Sequence, residues 1–152
     1  MFYVWNMSSY KEILNSERPC PFCHEEEQFR IDSNSTCYVI PSRAPYTEDH
    51  ILICPKSHKK SLDTLSADEL SDIRTLLQQW QHILYHKHGE VVLMLREWIP
   101  WGTTGKTLEH LHWHIVPQFT IQHGWSQEAS DARKFLSDEE YIQRRNVLQE
   151  LC

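Results

Sequence analysis

From residue 109 to 118 the chain reads EHLHWHIVPQ, and polar and apolar positions alternate with a period of two. Such alternation predicts a strand, whose successive side chains point to opposite faces. His110, His112 and His114 therefore line one face, while Leu111, Trp113 and Ile115 take the other. The rest of the chain alternates strand and helix patterns. QFRIDS (28 to 33) and TCYVIPSRA (36 to 44), rich in β-branched and aromatic residues, read as a hairpin turning at Asn34. HILICP (50 to 55) is a short apolar run closed by Pro55, the pattern of a central strand. A long helix follows. Ser66 and Glu69 form a capping box, Leu70, Ile73, Leu76, Leu77, Trp80, Ile83 and Leu84 recur at helical spacing, and Gly89 supplies the stop. EVVLMLREW (90 to 98) reads as a buried strand that pairs with the histidine strand through the loop WGTTGKT. Residues 120 to 136 are polar and irregular. A second capping box, Ser137 with Glu140, then opens a C-terminal helix toward Leu151.

At 152 residues the chain is expected to make a single domain, residues 1–152, burying roughly 70% of its unfolded surface without disulfides. The 21 acidic against 15 basic residues give a net charge of -6, which disfavours extended nucleic acid but not a small nucleotide. The longest apolar runs, VVLML and MFYVW, are far short of the ~20 residues that span a bilayer, and the first residues lack the pattern of a secretory signal. A cytoplasmic setting without membrane association is the expectation. Five cysteines is an odd count, and only Cys20 and Cys23 stand at a ligand-like spacing. That suits a metal in a reducing compartment better than a disulfide framework.

Two motifs carry chemistry. CPFC, Cys20 to Cys23, has the spacing by which two thiolates grip one tetrahedral zinc, and no thioredoxin-like context argues for a redox pair. Two further donors are required, and His58 together with one member of the triplet are the candidates. The triplet has three readings. Histidines merely satisfied on a half-exposed strand fit poorly with three in five residues. A cupin-like metal site needs a carboxylate a few residues on, and IVPQFTIQ supplies none. The third reading makes one imidazole a nucleophile at a phosphoryl centre, with its neighbours managing protons or metal.

HLHWHIV resembles the His-φ-His-φ-His-φ-φ signature of the histidine triad, or HIT, family of nucleotide hydrolases and transferases. DHILICPKSH resembles that family's strand and loop GHxLVIPKxH, and CPFC resembles the Cys-x-x-Cys of its zinc-containing branch, which includes galactose-1-phosphate uridylyltransferase. Order and spacing agree across a core of residues 20–117, leaving 120–152 as a C-terminal extension. The resemblance implies an α+β HIT-like fold, an antiparallel sheet with one long helix packed on it and a C-terminal helix, in a homodimer. It implies hydrolysis or nucleotidyl transfer at an α-phosphate through a covalent nucleotidyl-histidine. His112 matches the nucleophile, His114 the residue that contacts phosphate or leaving group, and His50 the additional histidine near them. Cys20, Cys23, His58 and His110 match the ligands of a structural Zn2+. Candidate substrates are nucleoside phosphoramidates, dinucleoside polyphosphates and sugar nucleotides. Two other classes compete: a zinc-stabilised nucleotide-binding or protein-interaction module without turnover, and a nucleic-acid-end-processing enzyme, against which the acidic charge weighs.

The chain departs from the family before the triad. Where many members read Gly-Gln-Ser-Val-x-His, it has Gly105, Lys106, Thr107, Leu108, Glu109 and His110. Thr107 keeps a hydroxyl for the phosphate, and Lys106 places a cation where an amide is usual, able to meet an additional phosphate or sulfate. Asp49 occupies the usual glycine position before His50, where a side chain perturbs the turn. His82, His86 and His88 are read as partners of a helix C-terminus rather than as a metal site. Trp98 and Trp101 are candidates for stacking on a base or for dimer contacts, and Trp80 has the period of a core residue. Arg96 and Glu97 carry no assigned role.

Overall fold

The computed structural model describes residues 20–24, 27–97, 110–119 and 133–152. Its strands are β1 (Asp32–Ser33), β2 (Cys37–Pro41), β3 (Ile51–Pro55), β4 (Val91–Arg96) and β5 (His112–Pro117). Two helices, α1 (Ala67–His88) and α2 (Asp138–Gln149), and two 3-10 turns, Glu27–Phe29 and Leu62–Thr64, complete the described elements. The strands form one sheet in the order β1-β2-β3-β5-β4, every pair antiparallel. This is the α+β arrangement expected, with β3 central and both expected hairpin pairings present.

Local chemistry sets the helix ends. The Ser66 hydroxyl accepts from the Glu69 amide, the Glu69 carboxylate accepts from the Ser66 amide, and Gly89 closes α1 in the left-handed region at φ 76. Ser137 and Glu140 make the same reciprocal bonds at α2. The α1 stripe of Ile73, Leu76, Trp80 and Leu84 packs on Val39, Ile51, Ile53, Trp113 and Ile115, which share one face of the sheet. Trp80 is fully buried, and its indole N–H donates to Asp32 Oδ2 at 3.0 Å. The opposite face carries Tyr38, Ile40, Leu52 and Cys54, roofed by Phe22. His112 and His114 belong to that face, because Leu52 and Met94 stand opposite His114 and Arg96 stands opposite His112.

Four expectations change. The strand drawn over 28 to 33 shrinks to Asp32–Ser33, because Glu27–Phe29 winds into a 3-10 turn that ends with the Arg30 amide bonded to the Glu27 carbonyl. The run from 90 to 98 is not a buried strand. β4 lies at a sheet edge, so Leu93 and Leu95 stay 42% and 37% exposed. Leu70, expected on the buried stripe, is 45% exposed beside a groove that Leu77 and Trp113 also line. Finally, His110 precedes the ladder rather than joining it. The Leu111 amide there bonds the Lys59 carbonyl at 2.6 Å, outside the sheet.

Candidate functional site

The CPFC segment folds as a tight turn closed by the His24 amide on the Cys20 carbonyl, which sets both thiols on one side. His110 Nδ1 lies 3.4 Å from Cys20 Sγ and 3.4 Å from Cys23 Sγ, and His58 Nδ1 lies 3.0 Å from Cys23 Sγ. All four donor atoms fall within 4.8 Å of one another. Zinc bonds of about 2.0 to 2.3 Å give tetrahedral edges of about 3.3 to 3.8 Å, so small adjustments would close this set around one ion. The His110 tautomer already suits a ligand, because its Nε2–H donates to the Pro55 carbonyl at 2.9 Å and leaves the Nδ1 lone pair toward the sulfurs. Burial, with the neighbouring His58, holds His110 below its ordinary pKa against the opposing pull of that carbonyl. The Cys23 thiol is pushed up to about 11 by burial and by Cys20 beside it, a cost that a bound cation would reverse. Among the described residues this is the one cluster of its kind.

The knuckle also touches the triad. Phe22, between the two cysteines, lies over His112 with ring centroids 4.9 Å apart, and its carbonyl is held by the Tyr38 hydroxyl at 2.6 Å. His112 Nδ1–H donates to the His110 carbonyl at 2.7 Å, so the Nε2 lone pair is the nitrogen left for chemistry. A second chain of bonds fixes the other two rings. The Tyr46 amide donates to His50 Nδ1 at 3.1 Å, which puts the His50 proton on Nε2. That proton is donated to His114 Nδ1 at 2.8 Å, which leaves His114 with an Nε2–H. The His112 and His114 rings are 4.8 Å apart. One lone pair and one N–H donor thus stand side by side on neutral imidazoles. Burial keeps all three neutral: His112 is lowered to about 4, and His50 and His114 fall well below the usual histidine range.

Two cations add to that lowering, and sequence reasoning assigned neither. Arg96 pairs with His112 across the β4–β5 ladder, so its side chain rises from the triad face, and its charge bears on His112 and His114. Arg133 bears on His50 and His114. Its guanidinium lies 3.9 Å from the Tyr46 ring centre and donates to the Ala44 carbonyl at 3.1 Å, while Tyr46 stacks on His50. For Arg96 the alternation of β4 was the available signal. Arg133 lies in the run 120 to 136, whose sequence shows no periodic pattern, and offered none.

Asp49 does shape the turn before His50. It sits at φ 62 with its side chain fully buried, and Oδ2 accepts from Lys87 Nζ at 2.6 Å and His88 Nε2 at 2.8 Å. Burial pushes the Asp49 carboxyl up, but the bonds and charges of Lys87 and His88 prevail and leave it below the ordinary value. His88 is thereby a partner of this loop, while His82 and His86 stay exposed with rings 4.9 Å apart. Lys106, Thr107, Trp98 and Trp101 lie outside the described residues.

A profile of the HIT domain matches residues 24–121, well over half of the chain. The chain belongs to the HIT family. It is 26% identical over 134 residues to the adenosine 5'-monophosphoramidase of Candida albicans, covering 80% of this chain and 87% of that protein. It is also 26% identical over 98 residues to the bifunctional bis(5'-adenosyl)-triphosphatase/adenylylsulfatase of Arabidopsis thaliana, covering 59% of this chain and 53% of the relative. Among solved structures the fold is shared with Plasmodium falciparum diadenosine triphosphate hydrolase in complex with cyclomarin A, at TM-score 0.65 and 18% identity over 82% of this chain and 76% of that one. A zinc-bound histidine triad family protein of Mycobacterium smegmatis also shares it, at TM-score 0.60 and 19% identity over 87% and 91% of the two chains. Within this HIT protein no helix of the described residues is long and apolar enough to cross a membrane.

Proposed function

We propose that this HIT protein cleaves small nucleotides at the α-phosphate through a nucleotidyl-histidine on His112. The observation that carries the reading is the pair of opposite tautomers. His112 presents a lone pair because its Nδ1–H is tied to the His110 carbonyl, while His114 presents an N–H because its Nδ1 accepts from His50. His112 Nε2 attacks phosphorus, a P–N bond forms, and the bond to the leaving group breaks with its electron pair departing on that group. The His114 Nε2–H hydrogen-bonds the phosphoryl oxygen or the departing atom as charge grows there. Water then displaces the imidazole from phosphorus and releases the nucleoside monophosphate. Another acceptor in place of water would make the same step a transfer. Lys106 and Thr107 are assigned to substrate phosphates on their motif position.

The metal reading is Zn2+ held by Cys20, Cys23, His58 and His110, a donor set that suits zinc and leaves no open coordination position. Its contribution is structural. It ties the Phe22 roof and the start of β5 to the loop after β3. The working form is a homodimer built on the β4 edge, for which the exposed Leu93 and Leu95 are the support. The cell compartment expected is the cytoplasm.

The test is release of AMP from adenosine 5'-phosphoramidate, diadenosine triphosphate and adenylyl sulfate, with intact mass recorded after brief incubation. A transient gain of one nucleotidyl group, absent with AMP release in His112→Ala, is the expected result. Nucleotide binding without release from any of the three would favour a binding module and overturn the enzymatic reading.

A further inference from the structure

His82, His86 and His88 stand together near the end of α1, and on the sequence all three are expected to serve its carbonyl end. The structure divides them. His88 turns with Lys87 onto the Asp49 carboxylate, while His82 and His86 are exposed and make no hydrogen bond or ion pair among the described residues. Being four residues apart, they lie one above the other on a single helix face. That face lies roughly 160° around the helix from Trp80 and Leu84, which meet the sheet, and roughly 140° from Leu77 and Gln81, which line the groove beside Trp113. The pair is open to solvent.

Its spacing fits one ion. Two imidazoles bonded to the same metal at about 2.0 to 2.1 Å put their ring centres about 3.2 Å from it. At that radius the observed separation of 4.9 Å corresponds to a nitrogen–metal–nitrogen angle of about 100°, between the square-planar right angle and the tetrahedral value. His58 and His110 of the cysteine cluster stand at 5.1 Å. The His50 and His114 rings are also 5.0 Å apart, but there the facing nitrogens are bonded to each other, whereas those of His82 and His86 are bonded to nothing. Two nitrogen donors suit Zn2+, Ni2+ and Cu2+, while Mg2+ and Ca2+ require oxygen. The setting also favours a cation. His86 lies in the last turn of α1, where the helix carbonyls point, the chain carries a net charge of -6, and the Lys87 ammonium is paired with Asp49.

We propose that His82 and His86 form a second metal site, a two-histidine chelate on the outer face of α1 for a divalent transition metal. It is separate from the Cys20–Cys23–His58–His110 cluster and from the triad, and it stands whether or not His112 turns substrate over. Two protein ligands leave the remaining coordination positions to water, so the ion exchanges with solvent. By tying together residues one turn apart, it also stabilises the end of α1.

The test is calorimetric titration of the full-length, zinc-loaded protein with Ni2+, after removal of excess zinc. Ni2+ is the probe because Cu2+ oxidises thiolates. The wild type is expected to take up Ni2+, and His82→Ala and His86→Ala are each expected to weaken that uptake at least about tenfold, since even loss of an outer-shell partner costs a metal site about that much. Both side chains are exposed, and far-UV circular dichroism checks that each variant keeps its helices. Gln78→His combined with His86→Ala rebuilds a pair at the same spacing one turn earlier, with His82, and is expected to restore the affinity. Saturating Ni2+ should raise the melting temperature of the wild type and of this rescue variant more than that of either alanine variant. No uptake by the wild type, equal affinity in the wild type and both alanine variants, or a rescue variant that binds no tighter than His86→Ala would each overturn the chelate.

Discussion

His112 and His114 are two residues apart on one strand face, yet they carry their protons on opposite nitrogens, and the difference comes from what each Nδ1 meets. His112 Nδ1 faces a carbonyl, which can only accept, and His114 Nδ1 faces the His50 Nε2–H, which donates. Ring-nitrogen NMR on the protein near neutral pH is therefore expected to show the Nδ1–H form for His112 and the Nε2–H form for His50 and His114. A shared tautomer for His112 and His114 would sink the division of roles between them. In His50→Ala, His114 loses the donor that fixes its proton, and removal of one such bond, worth about 1 to 3 kcal/mol when buried, is expected to lower kcat about tenfold to a hundredfold. The same burial sets a pH dependence. His112 falls from 6.5 to about 4 on folding, so the unfolded chain binds the extra proton first as acid is added. Stability linked to this ring is complete above about pH 6.5 and is lost as pH falls toward about 4, by roughly 3 kcal/mol in all. Denaturant midpoints at about pH 7.5 and about pH 5 should differ more for the wild type than for His112→Gln, a comparison that cancels titrating groups remote from the triad and reads His112 together with its effect on His50 and His114.

Between elements, Asp49 links the C-terminal turn of α1 to the loop that ends at His50. The helix end carries Lys87 and His88, where cations are favoured by the carbonyl ends of the helix, and both reach the same buried oxygen of Asp49. Its other oxygen, Oδ1, makes no hydrogen bond among the described residues and has Arg144 of α2 at 3.7 Å. Asp49→Asn keeps the shape and removes the charge. It is expected to cost about 1 to 3 kcal/mol, below the usual toll for breaking a buried pair because Lys87 is itself 35% exposed. A double-mutant cycle with Lys87→Met would check this, and a coupling near zero would show the contact to be incidental. Elements of this kind also mark how far the sequence could be read. Both capping boxes and the Gly89 stop were legible because each joins residues at most four apart. The HIT fold was legible through motif order, and the CPFC pair through its spacing. His58 and one member of the triplet were candidates from the residues, but the choice of His110 came only from resemblance, since Cys20 and His110 are 90 residues apart and no local pattern encodes the meeting. His88 on Asp49, the Phe22 roof and Arg133 over Tyr46 were missed for the same reason. The exposure of β4 was missed because an apolar run does not say whether its far side has a neighbour.

At the scale of the molecule, the Cys20–Cys23–His58–His110 cluster fastens three distant segments at the start of β5, and Phe22 carries that order to His112. Stripping zinc with a chelator is expected to lower the melting temperature by about 10 °C and to reduce activity in proportion to the lost roof, both reversed by added Zn2+. An unchanged melting curve in a protein shown to have lost its metal would remove the structural role. The other whole-molecule feature is the free side of the sheet. Val91 to Leu95 contains no charge, proline or bulge to protect an edge, and strands left so bare invite pairing with another chain. Leu93 and Leu95 project toward the α1 side, next to a groove of about 350 Å³ in which Leu70, Ile73, Leu77 and Trp113 are interleaved with Arg74, Gln78 and Gln81, so strand and helix present apolar side chains within a polar rim. A second copy related by a two-fold axis fits both parts at once, β4 extending the sheet antiparallel to its twin while the leucines and α1 faces close against each other. Light scattering behind size exclusion should then report twice the chain mass. Leu93→Lys with Leu95→Lys places like charges where the two edges meet, and is expected to yield monomers that keep α1 and the metal cluster. A double variant that remains dimeric would locate the interface elsewhere. A wild type that runs as a monomer at micromolar concentration would overturn the dimer reading.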